Sequence, residues 1–573
     1  MIRSRMPRRI TALLCALALL FACGCGSREK ETAEDEEIIL SETLSGKTLT
    51  GTVGADKIFS MAVDFDKSLN PLRTTSSASL QIAGLVYDNL FEVDANYGLS
   101  TRLLTDYVVN DDGNFWTLTV DTSIPMHDGS HLTAYDVAYS IQRAMMYSSY
   151  FASRLTSVAG VSAYQDDQLC ISTRYPDTRL PYRLTIPVIK QGSILSLGPA
   201  GSGPYMFSHS VPEGEPVEPT PDPTPEPEDP ENKDGEEVEE VQPDILVAFP
   251  GYGGEGKAPV DTIYLRPYSD PASMILEYEN ALVDLVVNDP TGSYNVGYGG
   301  MNEKRVYPTT HMHYIGFNGY SDFFCYGSYR RVLNWLIDRQ YIADSVMDGN
   351  ATASPFPVNP ACPLYNATLA EEYSFNSERA YAELETLGCR DLDDDGQLEF
   401  TLSGSKIEIN INFIVCADSS GKVSAARRIA DEMQALGFPV TLQEVSWKDF
   451  QYLLANPKDE DTGKATFDMY YDEVALSADW DVMPFLEEGG KLNYGQWNES
   501  ALNAAVQAYM AADATGQREA CDAMCRQVCE SAVFLPVCFE KRIVISHLGA
   551  IRGMNPNQYN LFSGVTGWTI NMQ

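Results

Sequence analysis

The chain has 573 residues, 44% of them hydrophobic and 10% aromatic, the make-up of a folded protein with material for about two to four domains and more than one core. It carries 80 acidic residues against 40 basic ones, a formal charge of −40. That balance excludes nucleic acid as a partner, because phosphate contacts need clustered Lys and Arg, and it suits solubility outside a cell.

The first residues read as an address. Arg3, Arg5, Arg8 and Arg9 precede an apolar run of thirteen residues, Ile10 to Ala22. That run is short for a bilayer span and the right length for a signal-peptide core. It ends in Leu20-Phe21-Ala22-Cys23-Gly24-Cys25, which resembles a bacterial lipobox. Cleavage before Cys23 would leave a thiol and an amine to carry acyl chains, and several chains anchor a protein stably. Cys25 is the alternative register. Loss of residues 1–22 leaves 36 basic against 80 acidic residues, a charge of −44. Residues 23–55 are polar and without periodicity, as a flexible tether would be.

Ile58 to Phe65 is expected as the first strand and Ser79 to Leu90 as a helix. Asp112-Gly113 marks a turn, and Phe115 to Val120 alternates like a half-buried strand. Asp128-Gly129 marks a second turn. Thr133 then caps a helix, with Asp136 three residues on to complete a capping box. Asp112-Gly113, Trp116-Thr117-Leu118, Asp128-Gly129 and Leu132-Thr133-Ala134-Tyr135-Asp136-Val137 follow in one order. That order resembles the signature of the extracellular solute-binding proteins of family 5, the peptide- and nickel-binding components of ABC importers. Met126-His127 departs from it where the family prefers Phe, and Val120-Asp121 where it has Leu-Arg.

Further stretches resemble the same family. Leu69-Asn70-Pro71, Val86 to Phe91, Gly201-Ser202-Gly203-Pro204-Tyr205 and Tyr314 to Asn318 each match a family segment, as does Tyr329 to Leu333 with Leu336 to Arg339. The glycines of the Gly-Ser-Gly-Pro-Tyr turn permit positive φ, and its Pro sets the exit direction. Val211 to Pro243, with 13 acids and one Lys, interrupts the pattern as a disordered Pro- and Glu-rich insert. Strands are expected at Gln168–Thr173, Ile245–Phe249, Asp261–Arg266, Val440–Glu444 and Val533–Ile545, and helices at Ser374–Leu387 and Val423–Leu436.

The resemblance implies an α/β protein with a two-lobe periplasmic-binding-protein-like fold. It is of type II, in the large cluster with an extra N-terminal subdomain, its lobes joined by crossing strands. The expected organisation is signal peptide 1–22, tether 23–55, and lobe I over 56–310 with its extra subdomain at about 80–190 and the insert at 211–243. Lobe II follows over 311–532, and 533–573 returns to lobe I. It also implies a monomeric receptor on the outer face of the bacterial cytoplasmic membrane, extracellular or periplasmic, that captures a peptide or similar solute and delivers it to ABC permease subunits. In peptide-binding members an Asp after Ala pairs with the peptide ammonium, and Ala478-Asp479 matches that pair. Leu476 stands where those members have Trp, so Trp480 is the expected aromatic wall. Asp472, Tyr494 and Trp497 are further cleft candidates.

Three metal-ligating patterns stand beside this. His311 and His313 point to one face of a strand, which allows metal capture, although two ligands are not a site and ordinary polar or cleft packing is the favoured role. A nickel-type metal or chelate receptor on the same fold is therefore the alternative function. Asp391, Asp393 and Asp395 have the D-x-D-x-D-G spacing of a Ca²⁺ loop running to Glu399, but Leu402 stands where the loop's closing Glu belongs, which favours a solvated acidic turn. No other cofactor is expected. Cys521, Cys525 and Cys529 lie four apart on one helix stripe, and nine cysteines beyond the lipobox cannot all pair. Core packing is the expected role of the stripe. No nucleophile elbow, zincin helix or P-loop is present in the sequence, so an enzyme is not expected.

Overall fold

The computed structural model describes residues 59–63, 70–74, 77–208, 244–268, 270–287, 301–402, 405–513 and 515–571. Cys23 and Cys25, the tether and the 211–243 insert lie outside them.

Residues 104–173 carry a separate sheet, within the stretch of about 80–190 expected as the extra subdomain. This four-stranded antiparallel sheet runs in the order Leu104–Val109, Phe115–Val120, Gln168–Thr173, Val158–Ala163. The helix Ala134–Tyr147 starts where the sequence says it should. Asp136 N–H donates to Thr133 Oγ1 at 3.4 Å and Thr133 N–H to Asp136 Oδ2 at 2.9 Å. Asp136 also accepts from Gln191 N–H at 2.9 Å, which fastens the helix start to the chain that leaves the subdomain.

That chain leads to the turn at Gly201–Tyr205, where close approach and not backbone angle accounts for glycine. Neither Gly201 nor Gly203 has positive φ. Each is glycine because backbone passes too close: a Cβ would stand 2.4 Å from Val86 O at Gly201 and 2.6 Å from Val86 C at Gly203. His127 completes the contact. Gly201 N–H donates to its Nδ1 at 3.2 Å, and its Nε2 donates to Gly203 O at 3.0 Å. His127, next to Met126, is thus a buried imidazole that staples this turn, and burial lowers its pKa, which favours the neutral state the bonds require.

A sheet of eleven strands runs through both lobes. At one end Val440–Val445, Ile411–Cys416 and Met469–Ala475 pair in parallel; at the other lie Leu285–Val286, Phe59–Val63, Thr262–Pro267, Asp244–Ala248 and Tyr205–Phe207. Two long antiparallel strands, Asn302–Phe317 and Phe534–His547, join the ends. Their ladder holds from Asn302↔His547 to Pro308↔Lys541, slips, and resumes at Met312↔Phe539. Pro308 has no N–H to donate, and a slip at such a residue bends a strand pair.

Buried side chains separate along this axis. One core draws on residues from Phe59 to Tyr307 and again from Val544 to Ile570, so both ends of the described chain build it. A second draws on Ile315 to Tyr471 and Ala532 to Cys538. A third holds Val93 and Tyr97 together with residues from Met312 to Phe539. Cys521, Cys525 and Cys529 lie in this third core, on the helix Gln517–Ser531, where burial drives the thiol of Cys529 up to about 12. The stripe is packing, and the nine described cysteines are all free.

Candidate functional site

The segment after strand Met469–Ala475 carries the expected ligand residues. Leu476 N–H donates to Thr310 O at 3.0 Å, holding the segment to the crossing strand. Trp480 adopts φ 58°, a left-handed conformation that a bulky side chain takes only when packing demands it. Its ring is buried between Tyr97 at 4.8 Å and Phe539 at 5.7 Å. It is therefore a core residue and no exposed wall. Tyr509 Oη donates to Asp479 O at 3.0 Å and fixes the backbone beside it.

Asp479 is buried and already holds a cation. Arg183 Nε and Nη2 both donate to its Oδ2, at 3.0 and 2.9 Å, across 296 residues of sequence. Arg183 Nη1 donates to Asp177 Oδ2 at 2.9 Å, and Nη2 lies 3.3 Å from Asp481 Oδ2. One guanidinium thus meets three carboxylates. Burial alone would lower the Arg183 pKa, and Asp479, Asp481 and Asp177 outweigh it and raise it. Asp481 keeps 15% of its side-chain exposure and has only the longest of the three contacts. Burial, opposed by Arg183 and reinforced by Asp479, pushes its pKa up to about 6.

Beside this knot lies a cavity of about 510 Å³ between residues 175–183 and 481–511, lined by Asp177, Arg183, Asp481 and Glu487 together with apolar Met483 and Met510. Its charged lining is one cation and three carboxylates. Such a wall favours a cationic group on the occupant, while the methionines adapt to apolar shape. Arg179 closes the neighbouring contact, with Nη2 donating to Tyr509 O at 3.2 Å and the guanidinium 4.1 Å from the Tyr509 ring.

The other expected residues stand elsewhere. Asp472 accepts from Lys422 Nζ at 3.1 Å, and Tyr494 packs edge-on against Tyr470 at 5.9 Å. Trp497 lies 4.0 Å under the Arg330 guanidinium. None of the six expected residues lines the cavity, although Asp479 stands directly behind it. Asp177, Arg183 and Asp481 were not singled out from the sequence, where nothing local marks them.

His311 and His313 part company. His313 Nε2 lies 3.1 Å from Glu540 Oε1 and 3.4 Å from Glu473 Oε2, and its Nδ1 is 3.2 Å from Tyr471 Oη. His311 faces Arg542, 3.5 Å from Nη2. Burial first, then Arg542, lowers its pKa to about 4. In the Asp391–Glu399 loop the Asp391 carboxylate accepts N–H bonds from Asp393, Asp395 and Gly396. The Lys406 ammonium reaches Asp393 and, at 2.9 Å, Glu399. The chain meets that charge with its own cation.

A two-lobed α/β body with strands crossing between the lobes and a charged cavity is the architecture of an extracytoplasmic solute-binding protein. The profile of the bacterial extracellular solute-binding proteins, family 5, matches residues 98–218 and 236–492, and the chain belongs to that family. It is a solute-binding component of the ABC-importer type. Over 468 residues it is 22% identical to the oligopeptide-binding protein AppA of Bacillus subtilis (strain 168), covering 77% of this chain and 78% of that one. The structure of AppA from B. subtilis in complex with a nonapeptide superposes with a TM-score of 0.59 at 17% identity, over 89% of this chain and 98% of that one. NikZ from Campylobacter jejuni in complex with Ni(L-His) does so with a TM-score of 0.61 at 15% identity, over 90% and 99%. These superpositions show a shared fold. Among the described residues no helix is long and apolar enough to cross a membrane.

Proposed function

We propose that this protein captures a peptide or similar small solute between its lobes and hands it to an ABC permease, and that the ligand's ammonium group docks at Asp481. The observation that carries this reading is the excess of carboxylate over cation in the cavity wall, where Asp177, Asp481 and Glu487 face Arg183 while Asp479 binds Arg183 from behind it. Arg183 neutralises Asp479, which leaves Asp481, part-exposed, bonded by Met483 N–H at 2.9 Å and only distantly paired with Arg183, as the group with charge to spare. An ammonium there makes a charge-assisted hydrogen bond in a site with little water. Backbone contacts would hold the rest of the ligand with little reading of side chains. Isothermal titration against a library of short peptides is expected to find binders that D481N weakens by roughly tenfold to a hundredfold, the loss of one charged hydrogen bond. N-terminal acetylation of the peptide is expected to reproduce that loss. A library without binders, or affinity indifferent to both changes, refutes the docking assignment.

Anchoring follows from the lipobox-like run ahead of Cys23. Cells fed a labelled fatty acid are expected to mark the wild-type chain and not a C23A variant. Label that persists in C23A and vanishes in C25A moves the anchor to Cys25, and label in neither wild type nor variants removes it.

A metal chelate as cargo is the second reading, resting on His311 and His313. The structure separates the pair, one facing carboxylates and the other an arginine, and neither lines the cavity. That arrangement suits an ion held in place better than one carried through.

A further inference from the structure

We propose that His313, Glu473 and Glu540 form a binding site for one resident divalent ion of the Zn²⁺ class, set where the strands cross between the lobes. Three neighbouring strands each supply one ligand. His313 comes from Asn302–Phe317, Glu473 from Met469–Ala475 and Glu540 from Phe534–His547. His313 and Glu473 stand directly opposite one another in their ladder.

The ligand atoms are spaced for a metal. Nε2 lies 3.1 Å from Glu540 Oε1 and 3.4 Å from Glu473 Oε2, and all three ligand atoms fall within 4.8 Å of one another. Ligands at about 2.0–2.1 Å around a tetrahedral Zn²⁺ stand about 3.3 Å apart along each edge. An ion can therefore enter between His313 and the two carboxylates with little movement of the backbone. One imidazole and two carboxylates are a donor set that Zn²⁺ accepts, with a fourth position left for water.

The surroundings orient these ligands. Tyr471 Oη stands 3.2 Å from His313 Nδ1, placed to accept its N–H and keep Nε2 free to ligate. Lys422 Nζ binds Glu473 through Oε1 at 3.1 Å, leaving Oε2 turned to the site. His313 is 3% exposed, while Glu473 and Glu540 keep 34% and 31% of their side-chain exposure. An ion thus has a route in from solvent and a buried seat. Asp472, Glu473 and Glu540 outnumber the nearby cations Lys422 and Arg542, so the seat favours positive charge.

The place gives the ion a consequence. Glu540 lies within the slip of the crossing ladder, between Lys541↔Pro308 and Phe539↔Met312, while Glu473 belongs to a strand whose pairing starts inside that slip at His311 and runs on to Phe317. A bound ion would tie the crossing point and stiffen the joint about which the lobes move.

The test uses the chain stripped of metal with a chelator and titrated with ZnCl₂ alone against a chromophoric competitor. Wild type is expected to bind one Zn²⁺, and E473Q and E540Q to bind it roughly 100-fold more weakly, with Y471F losing less. H311A is expected to match wild type. H313A carries the largest loss, and the two isosteric glutamine variants guard against its failing to fold. A wild type that binds no Zn²⁺, E473Q and E540Q that bind it undiminished, or H311A that loses it equally would each overturn the site. Peptide titration of the stripped protein is a separate readout, so failure of the metal site leaves the cargo assignment to stand or fall by itself.

Discussion

Arg183→Ala is expected to lower stability at pH 7 by about 3–5 kcal/mol, the range for removing one partner from a buried ion pair. The variant leaves Asp177, Asp479 and Asp481 facing one another with no guanidinium between them. Crowded, buried carboxylates have pKa values raised above the unfolded value near 3.9. A group raised in this way contributes stability fully below its unfolded pKa and loses it as pH rises through its folded pKa. R183A is therefore expected to recover stability as pH falls from 7 to 5. Wild type carries a smaller trend of the same sign through Asp481, whose pKa of about 6 makes stability decline as pH rises from about 4 past 6. That shift corresponds to on the order of 3 kcal/mol, and D481N should abolish the trend. Urea unfolding at pH 5 and pH 7 checks each variant. R183A as stable as wild type at pH 7, or less stable at pH 5 than at pH 7, would show that the knot does not hold the fold.

The same knot bears on ligand capture. Leu184, next to Arg183, belongs to the core built from both chain ends, whereas Ala478 and Trp480 beside Asp479 belong to the third core. Parting those two cores means parting Arg183 from Asp479. Loss of Arg183 should thus loosen the pairing of lobes as well as the fold, and R183M/D177N/D479N, which removes charge from both sides, should restore more than half of the lost stability.

What the sequence shows depends on how far apart the partners lie. The capping box of Thr133 and Asp136 spans three residues, and the helix begins where those two residues place it. Phe115–Val120 and Gln168–Thr173 alternate cleanly because each has one buried face. Family resemblance carried the reading further, to Ala478-Asp479, because a motif records a place in the fold without recording its partners. Asp479 does stand at the charged centre, but Arg183 is 296 residues away and nothing local distinguishes it from other arginines. Glu540 lies 227 residues from His313 in the same way. Residue type alone does not say what a side chain meets. Trp480 and Trp497 suggest a cleft wall, yet one is driven into the core by Tyr97 and Phe539, and the other lies against a buried arginine. The glycines at 201 and 203 permit unusual φ, and the structure shows instead a steric need that only the nearby end of the helix Ser77–Val86 reveals.

Arg330→Ala is expected to be as damaging as the loss of Arg183, by a different route. The Arg330 side chain is almost fully buried and serves four backbone carbonyls: Phe324 O at 2.8 Å, Cys325 O at 3.2 Å, Ser531 O at 2.9 Å and Ala532 O at 2.9 Å. Two of these carbonyls end the helix Gln517–Ser531, where Ala532 turns left-handed and no further helical N–H follows. Burial lowers the Arg330 pKa to about 10, so it stays charged at neutral pH and its bonds are charge-assisted. Alanine leaves these carbonyls without a donor, at about 1–3 kcal/mol for each that water cannot reach, and removes the cation from the Trp497 ring. A loss of roughly 3–5 kcal/mol is expected by urea unfolding. Lysine should recover less than half, since one ammonium cannot span carbonyls that a planar fork reaches together. Trp497→Ala distinguishes the two roles a tryptophan could have here. Because its ring supports Arg330, the variant is expected to lower the unfolding midpoint while leaving peptide affinity within about threefold of wild type. A W497A protein of undiminished stability that binds peptide tenfold or more weakly would return Trp497 to the ligand and take the stacking role from it.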